Sequence, residues 1–145
     1  MSYIIRQALE KDLHTVYRFI CLLEETDFDY AAFEGIYKEN LHSKNCLYLV
    51  AETPAEASVA FISAHIQNLL HHGGKVAEIQ ELFVDETNRG GGIGNALVEA
   101  LEKNLHALGC ISFEVTAQNK RTATHHFYEK LGFVHTHKKF VKQLH

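Results

Sequence analysis

The chain has no tryptophan, one proline, one methionine and three cysteines in 145 residues. With Pro54 alone available as a proline break, its elements must be separated by glycine and by Asp/Asn turns. Cys21, Cys46 and Cys110 are odd in number and sit in apolar contexts. That argues against a disulfide framework and for reduced, buried thiols in a cytoplasmic protein. No apolar stretch approaches a membrane span, and Met1-Ser-Tyr-Ile-Ile-Arg has no basic segment ahead of a long apolar one, so neither a membrane anchor nor a leader is expected. A basic run is also missing, and the net charge is −4, so nucleic acid and anionic membranes are not expected partners. Nor is there a Cys/His spacing of the structural zinc kind. What is present, 46% hydrophobic and 22% charged residues with no repeat or linker, describes a single globular domain over residues 1–145.

Periodicity divides the chain into alternating elements. Ser2 to Gln7 reads as a strand, and Leu13, Val16, Tyr17, Ile20 and Leu23 keep helical spacing from Lys11 to Glu24. Asp29 is placed to cap a second helix carrying Phe33, Ile36 and Tyr37. Strands are expected at Cys46 to Glu52 and Ala57 to Leu70, joined by a turn at Thr53-Pro-Ala-Glu. A further strand at Ile111 to Thr116, a helix at Arg121 to Leu131 ended by Gly132, and a last strand at Phe133 to Val141 complete an α/β chain with a mixed sheet.

The stretch from Ala77 to Leu97 organises the rest. Its first half alternates, with Glu78, Gln80, Leu82 and Val84 on one face and Ile79, Glu81 and Phe83 on the other. Glycines 90, 91, 92 and 94 then lead into a helix with Ile93, Leu97, Ala100, Leu101 and Leu108 as its apolar stripe, ended by Gly109. A strand, a glycine-rich loop and a helix N-terminus form an anion site, because glycine admits a phosphate closely and free N–H groups point outward. The P-loop is excluded, since no Lys-Ser/Thr follows Gly94. A dinucleotide fingerprint is excluded by position: several elements precede the loop, and Asp85 to Arg89 separate strand from glycines.

Arg89-Gly90-Gly91-Gly92-Ile93-Gly94 fits Arg/Gln-x-x-Gly-x-Gly/Ala and resembles the pyrophosphate loop of the GNAT superfamily of acyl-CoA-dependent N-acetyltransferases. Asn119-Lys-Arg-Thr-Ala-Thr-His-His-Phe-Tyr-Glu-Lys-Leu-Gly-Phe133 resembles a second signature of that family. The resemblance implies the GNAT fold: one mixed, mostly antiparallel twisted sheet, helices on both faces, and central strands splayed to admit pantetheine. It also implies acetyl-CoA as co-substrate. By that resemblance the amides of Gly90, Gly91, Gly92, Ile93, Gly94 and Asn95 hold the pyrophosphate with Arg89, the main chain of Leu82, Phe83 and Val84 pairs with pantetheine, and Asn119 hydrogen-bonds it.

Two side chains stand out for chemistry. Glu78 lies eleven residues before Arg89, where many members of the family carry the base that deprotonates the amine, directly or through water. Glu81 ranks below it, being expected on the opposite face, while Gln80 is expected beside Glu78. Tyr128 is the candidate acid that returns a proton to the leaving thiolate, and it doubles as a cofactor contact. The plainer alternatives are a solvated strand charge for Glu78 and a packing aromatic for Tyr128. No metal ligand set is assigned. Eleven histidines include pairs such as His135/His137, so a divalent ion remains possible.

Further stretches, among them His65-Ile-Gln67, Leu70-His-His72, Glu78-Ile-Gln-Glu-Leu82 and Phe140-Val-Lys, resemble bacterial aminoalkylphosphonate N-acetyltransferases. The implied acceptor is a small primary amine bearing a phosphonate, with Lys120, Arg121, Arg6 and the histidines as candidates for its anion. A polyamine, an aminoglycoside or a protein lysine or N-terminus is the alternative acceptor. A non-catalytic acyl-CoA sensor is the alternative function. A homodimer is a further expectation from the resemblance.

Overall fold

A computed structural model describes residues 2–55 and 57–145; Met1, and Glu56 at the end of the turn expected after Thr53, lie outside them. The elements run β1 (Ile4–Gln7), α1 (Leu13–Glu24), α2 (Tyr30–Leu41), β2 (Cys46–Glu52), β3 (Ser58–Leu69), β4 (Gly74–Val84), α3 (Ile93–Ala107), β5 (Ser112–Val115) and α4 (Thr122–Lys130). The strands form one sheet in the order β1-β2-β3-β4-β5. Neighbours are antiparallel except β4 and β5, which α3 connects as a parallel crossover.

Local chemistry sets several of these boundaries. The Asp29 carboxylate accepts the Ala32 amide at 2.9 Å and starts α2 as expected. Gly109 and Gly132, at φ +83° and +95°, take the left-handed conformation that ends α3 and follows α4.

Strand alternation gives the sheet two apolar faces. Ala60, Ile62 and Ala64 of β3 and Ala77 and Ile79 of β4 pack with Ile93, Leu97, Val98, Leu101 and Leu105 of α3, and with Tyr128 of α4. On the other face Val50, Phe61 and Phe83 pack with Val16, Phe19 and Ile20 of α1 and Tyr37 of α2. Burying a side chain of this size contributes about 1.5–3 kcal/mol, so the two clusters hold helices to both faces. The stripe predicted for α3 needs amendment at its end. Leu108 is the C-cap and exposed, and Val98 and Leu105 complete the buried face.

One irregularity reorganises β4. Ser63 pairs with Glu81 and Ala64 with Ile79, so Gln80 is an extra residue, a β-bulge. Beyond it the parity inverts: Ile79 and Leu82 share the α3 face, while Phe83 faces α1. The expectation that Glu81 opposes Glu78 is therefore wrong. Their partners Ser63 and His65 are two apart on β3, so both glutamates face the α1/α2 side, and Gln80 is the exposed bulge residue.

The strand expected at Phe133 to Val141 is also absent. Phe133 packs on Phe113 and Tyr128, with ring centroids at 5.2 and 5.5 Å, but the following residues form no ladder. Val134, Phe140, Val141 and Leu144 are exposed. Phe133, Val134, Phe140 and Val141 carry β propensity, but without a partner edge it yields no strand.

Arg6 is committed to structure. Its guanidinium donates twice to Asp12, at 2.8 and 2.9 Å, and twice to Glu52, at 3.1 and 3.3 Å, tying β1 to β2 and to the turn before α1. It is thus not a ligand for a substrate anion. Burial by itself would raise the Asp12 pKa, but the hydrogen bonds from Arg6 and the Leu9 amide and the Arg6 charge outweigh it and leave the pKa lowered. A lowered carboxylate pKa contributes stability above its unfolded value, and this is lost as pH falls through the folded value. Arg6→Met is expected to cost about 3 kcal/mol near neutrality by stranding Asp12. Urea denaturation of both proteins should show that gap at pH 7, and the gap should narrow as pH falls below the ordinary carboxylate range and Asp12 takes up its proton.

Candidate active site

The sheet opens where the glycine loop begins. β4 and β5 pair from Val76↔Ser112 to Ile79↔Val115 and no further, while β4 continues from Gln80 to Val84 without a partner on that side. This is the expected splay. An extended ligand can add to the free main chain of Leu82 and Phe83 as a further strand would. Val84 is less free, because its carbonyl accepts Arg89 Nε at 2.8 Å. The Arg89 guanidinium also stacks on Phe83, 5.4 Å from the ring centroid. Arg89 thus folds back onto the end of β4, where its remaining N–H groups add positive charge beside the loop.

The loop itself is a cradle. Gly90 and Gly92 have φ +87° and +82°, conformations that other residues enter at a cost. A Cβ at either would meet no atom within 4 Å, so the concave side is open. Gly92 is the N-cap of α3 and no side chain caps the helix, which leaves the amides of Ile93, Gly94 and Asn95 directed at the opening. Gly94 answers a different need, since a Cβ there would lie 3.4 Å from Phe127 of α4. These donors fit a pyrophosphate.

Glu78 sits at the fork. It pairs with Glu114 one step before the strands part, and its carboxylate accepts the Thr116 hydroxyl at 2.9 Å. Tyr128 is buried, with 7% of its surface exposed, and packs edge-on to Phe127 and Phe133. No hydrogen bond ties its hydroxyl among the described residues, and since no fully buried side-chain polar atom there lacks a partner, the hydroxyl oxygen keeps access to solvent or ligand. Burial pushes its pKa up to about 12, so it stays a protonated donor throughout the neutral range. Asn119 is exposed in the turn before α4.

The remaining candidates scatter. His135 Nε2 contacts the His137 carbonyl at 3.1 Å, His125 Nε2 the Gln118 carbonyl at 2.8 Å, and His72 lies 3.7 Å from Glu114. Among the described residues no group of three His, Cys, Asp or Glu side chains stands at metal-binding spacing, and no helix is long and apolar enough to cross a membrane. Lys120 is exposed, and Arg121 is the N-cap of α4. Periodicity missed Thr116 as a partner of Glu78, and it missed Ser63. Ser63 is fully buried, donates to the Glu81 carboxylate and accepts the Glu81 amide at 3.0 Å. A serine amid an apolar strand was the only signal.

The model of the acetyltransferase (GNAT) family matches residues 6–133. The chain belongs to that family. It is an acyl-CoA-dependent N-acetyltransferase. An aminoalkylphosphonate N-acetyltransferase of Salmonella typhimurium is 36% identical over 97% of this chain and 90% of the relative's length. A crystal structure of a transcriptional regulator from Bacillus halodurans superposes with TM-score 0.91 at 25% identity, covering 99% of this chain and 100% of that one. The aminoglycoside 6'-N-acetyltransferase of Acinetobacter baumannii shares the fold, with TM-score 0.84 at 22% identity over 99% of each chain.

Proposed function

We propose that this GNAT protein moves the acetyl group of acetyl-CoA to the primary amine of a small molecule by direct attack, in the cytoplasm, with an aminoalkylphosphonate as the acceptor class. The observation that carries the reading is the fork. The free β4 edge, the uncapped cradle, the Glu78 carboxylate and the unpaired Tyr128 hydroxyl all belong to the elements that bound it. The acceptor class is supported by the similarity to the Salmonella relative along nearly the whole chain.

The chain's own groups divide the work. The amides of Gly90 to Asn95 hold the pyrophosphate, and Leu82 and Phe83 align the pantetheine arm so that a β4 amide faces the thioester oxygen. Glu78 takes the proton from the ammonium, directly or through a water. The amine nitrogen then bonds to the thioester carbonyl carbon and gives up its second proton to solvent; the C–S bond breaks, the electron pair leaves with sulfur, and the thiolate, hydrogen-bonded by the Tyr128 hydroxyl, takes up a proton from solvent. Gly92→Val tests the cradle. It strains a left-handed position by about 1–2 kcal/mol and projects an isopropyl group into the opening. The KM for acetyl-CoA should rise roughly ten-fold, about 1.4 kcal/mol of lost binding, with the acceptor KM little changed.

The acceptor is tested by thiol release from acetyl-CoA with 2-aminoethylphosphonate, aminomethylphosphonate, spermidine, an aminoglycoside and a lysine peptide, with and without divalent metal. Turnover concentrated on the phosphonates supports the reading. Turnover only on the others would replace the acceptor class, and acetyl-CoA binding without any turnover would favour a sensor.

A further inference from the structure

β5 is the last strand of the sheet, and its outer edge is open. The Ile111 amide donates to the Lys75 carbonyl at 2.9 Å, so by alternation the N–H and C=O groups of Ser112 and Glu114 point away from β4. Among the described residues no strand pairs with them. An open edge is a template for another strand, and proteins ordinarily blunt it with lysine, proline or a covering element. β5 has no lysine or proline, and Glu114 is its one charge.

The same chain carries a strand-like segment without a partner. Residues 134–145 form no ladder, and Val134, Phe140, Val141 and Leu144 are exposed, Phe140 at 92%. Extended, these twelve residues reach about 40 Å, enough to cross onto a second molecule. They include three lysines, three histidines and no acid, whereas the chain as a whole has net charge −4. The β5 edge is the opposite: the Glu114 side chain is half exposed, and the ring of His72 lies 3.7 Å away. Leu108 and Ile111, just before β5, add exposed apolar surface. Edge and segment thus match in hydrogen bonding, apolar character and charge, yet they do not meet within one copy. Phe133 is packed on Phe113, and the chain beyond it leaves the sheet.

We infer that two copies of this chain exchange these segments, with residues 134–141 of each copy added as a strand to the outer edge of β5 in the other. The contact is reciprocal, so it closes at a dimer and does not grow into a filament. Main-chain hydrogen bonds supply the attraction, and the basic strand beside Glu114 supplies the selectivity.

Light scattering of the full chain should give twice the 16.5 kDa of one copy. Phe140→Pro combined with Val141→Pro removes N–H groups on both sides of the segment, so one loss falls on the ladder whichever way it faces. Both positions are exposed within a copy, so each copy should stay folded while the mass falls to that of a monomer. Hydrogen exchange locates the contact. The Ser112 and Glu114 amides should exchange at least roughly ten-fold faster in the double variant than in wild type, with the β4-facing Phe113 and Val115 amides unchanged. A monomeric wild type overturns the inference, whether its own segment protects those two amides or they exchange freely. A dimer that survives the double substitution, or one whose Ser112 and Glu114 amides are unprotected, overturns it as well.

Discussion

Glu78→Gln is expected to lower kcat by roughly a hundred- to a thousand-fold, about 2.7–4 kcal/mol, the range of one positioned base. Glutamine keeps the shape and can still contact Thr116, so the fork should stay intact. An ammonium cannot attack a carbonyl until it loses its proton, and without Glu78 bulk water or buffer must remove it. The loss should therefore shrink as pH rises toward the acceptor's own amine pKa, and amines of lower pKa should suffer less. A pH–rate profile of both proteins checks this. Equal kcat across the neutral range would return Glu78 to a structural partner of Thr116.

Tyr128→Phe should lower kcat roughly ten- to a thousand-fold with little change in acetyl-CoA binding. Its pH dependence follows from its burial. A phenol pushed up to about 12 does not ionise between pH 6 and 10, so the wild-type and variant profiles should run parallel there. Burial also limits what the hydroxyl can do. Against a thiol of pKa about 8.5, a phenol near 12 is the weaker acid by roughly three-thousand-fold, about 5 kcal/mol. Tyr128 thus acts by hydrogen bonding to the developing thiolate, and the proton that completes the thiol comes from solvent. Solvent isotope effects that survive the substitution unchanged would remove it from this step.

Much of the fold is legible in the sequence because its signals are local. The Asp29 cap, the glycine stops at Gly109 and Gly132 and the buried stripe of α3 each follow from a few adjacent residues. So does the loop from Arg89 to Gly94, because glycine at positive φ leaves a spacing in the chain that can be read directly. The errors share a different origin. The bulge at Gln80 is a pairing event between β3 and β4, and a period-two pattern carries no mark of it. One extra residue was enough to assign Glu81 to the wrong face. The segment from Phe133 to Val141 carries residues of high β propensity, yet a strand exists only where an edge accepts it. Arg6 looked available for an anion because its partners, Asp12 and Glu52, lie 6 and 46 residues away. The site splits the same way: its glycines are local and legible, while the Thr116 hydroxyl on Glu78 depends on the register of β4 against β5.

The measurement closest to the central claim pairs thiol release from acetyl-CoA with NMR of the amine product, in wild type and Glu78→Gln, using 2-aminoethylphosphonate as acceptor. The account predicts one amide formed per thiol released, no release without the amine, and both falling together by at least roughly a hundred-fold in the variant. Thiol release without amide, or amide formation at an unchanged rate in Glu78→Gln, would contradict it.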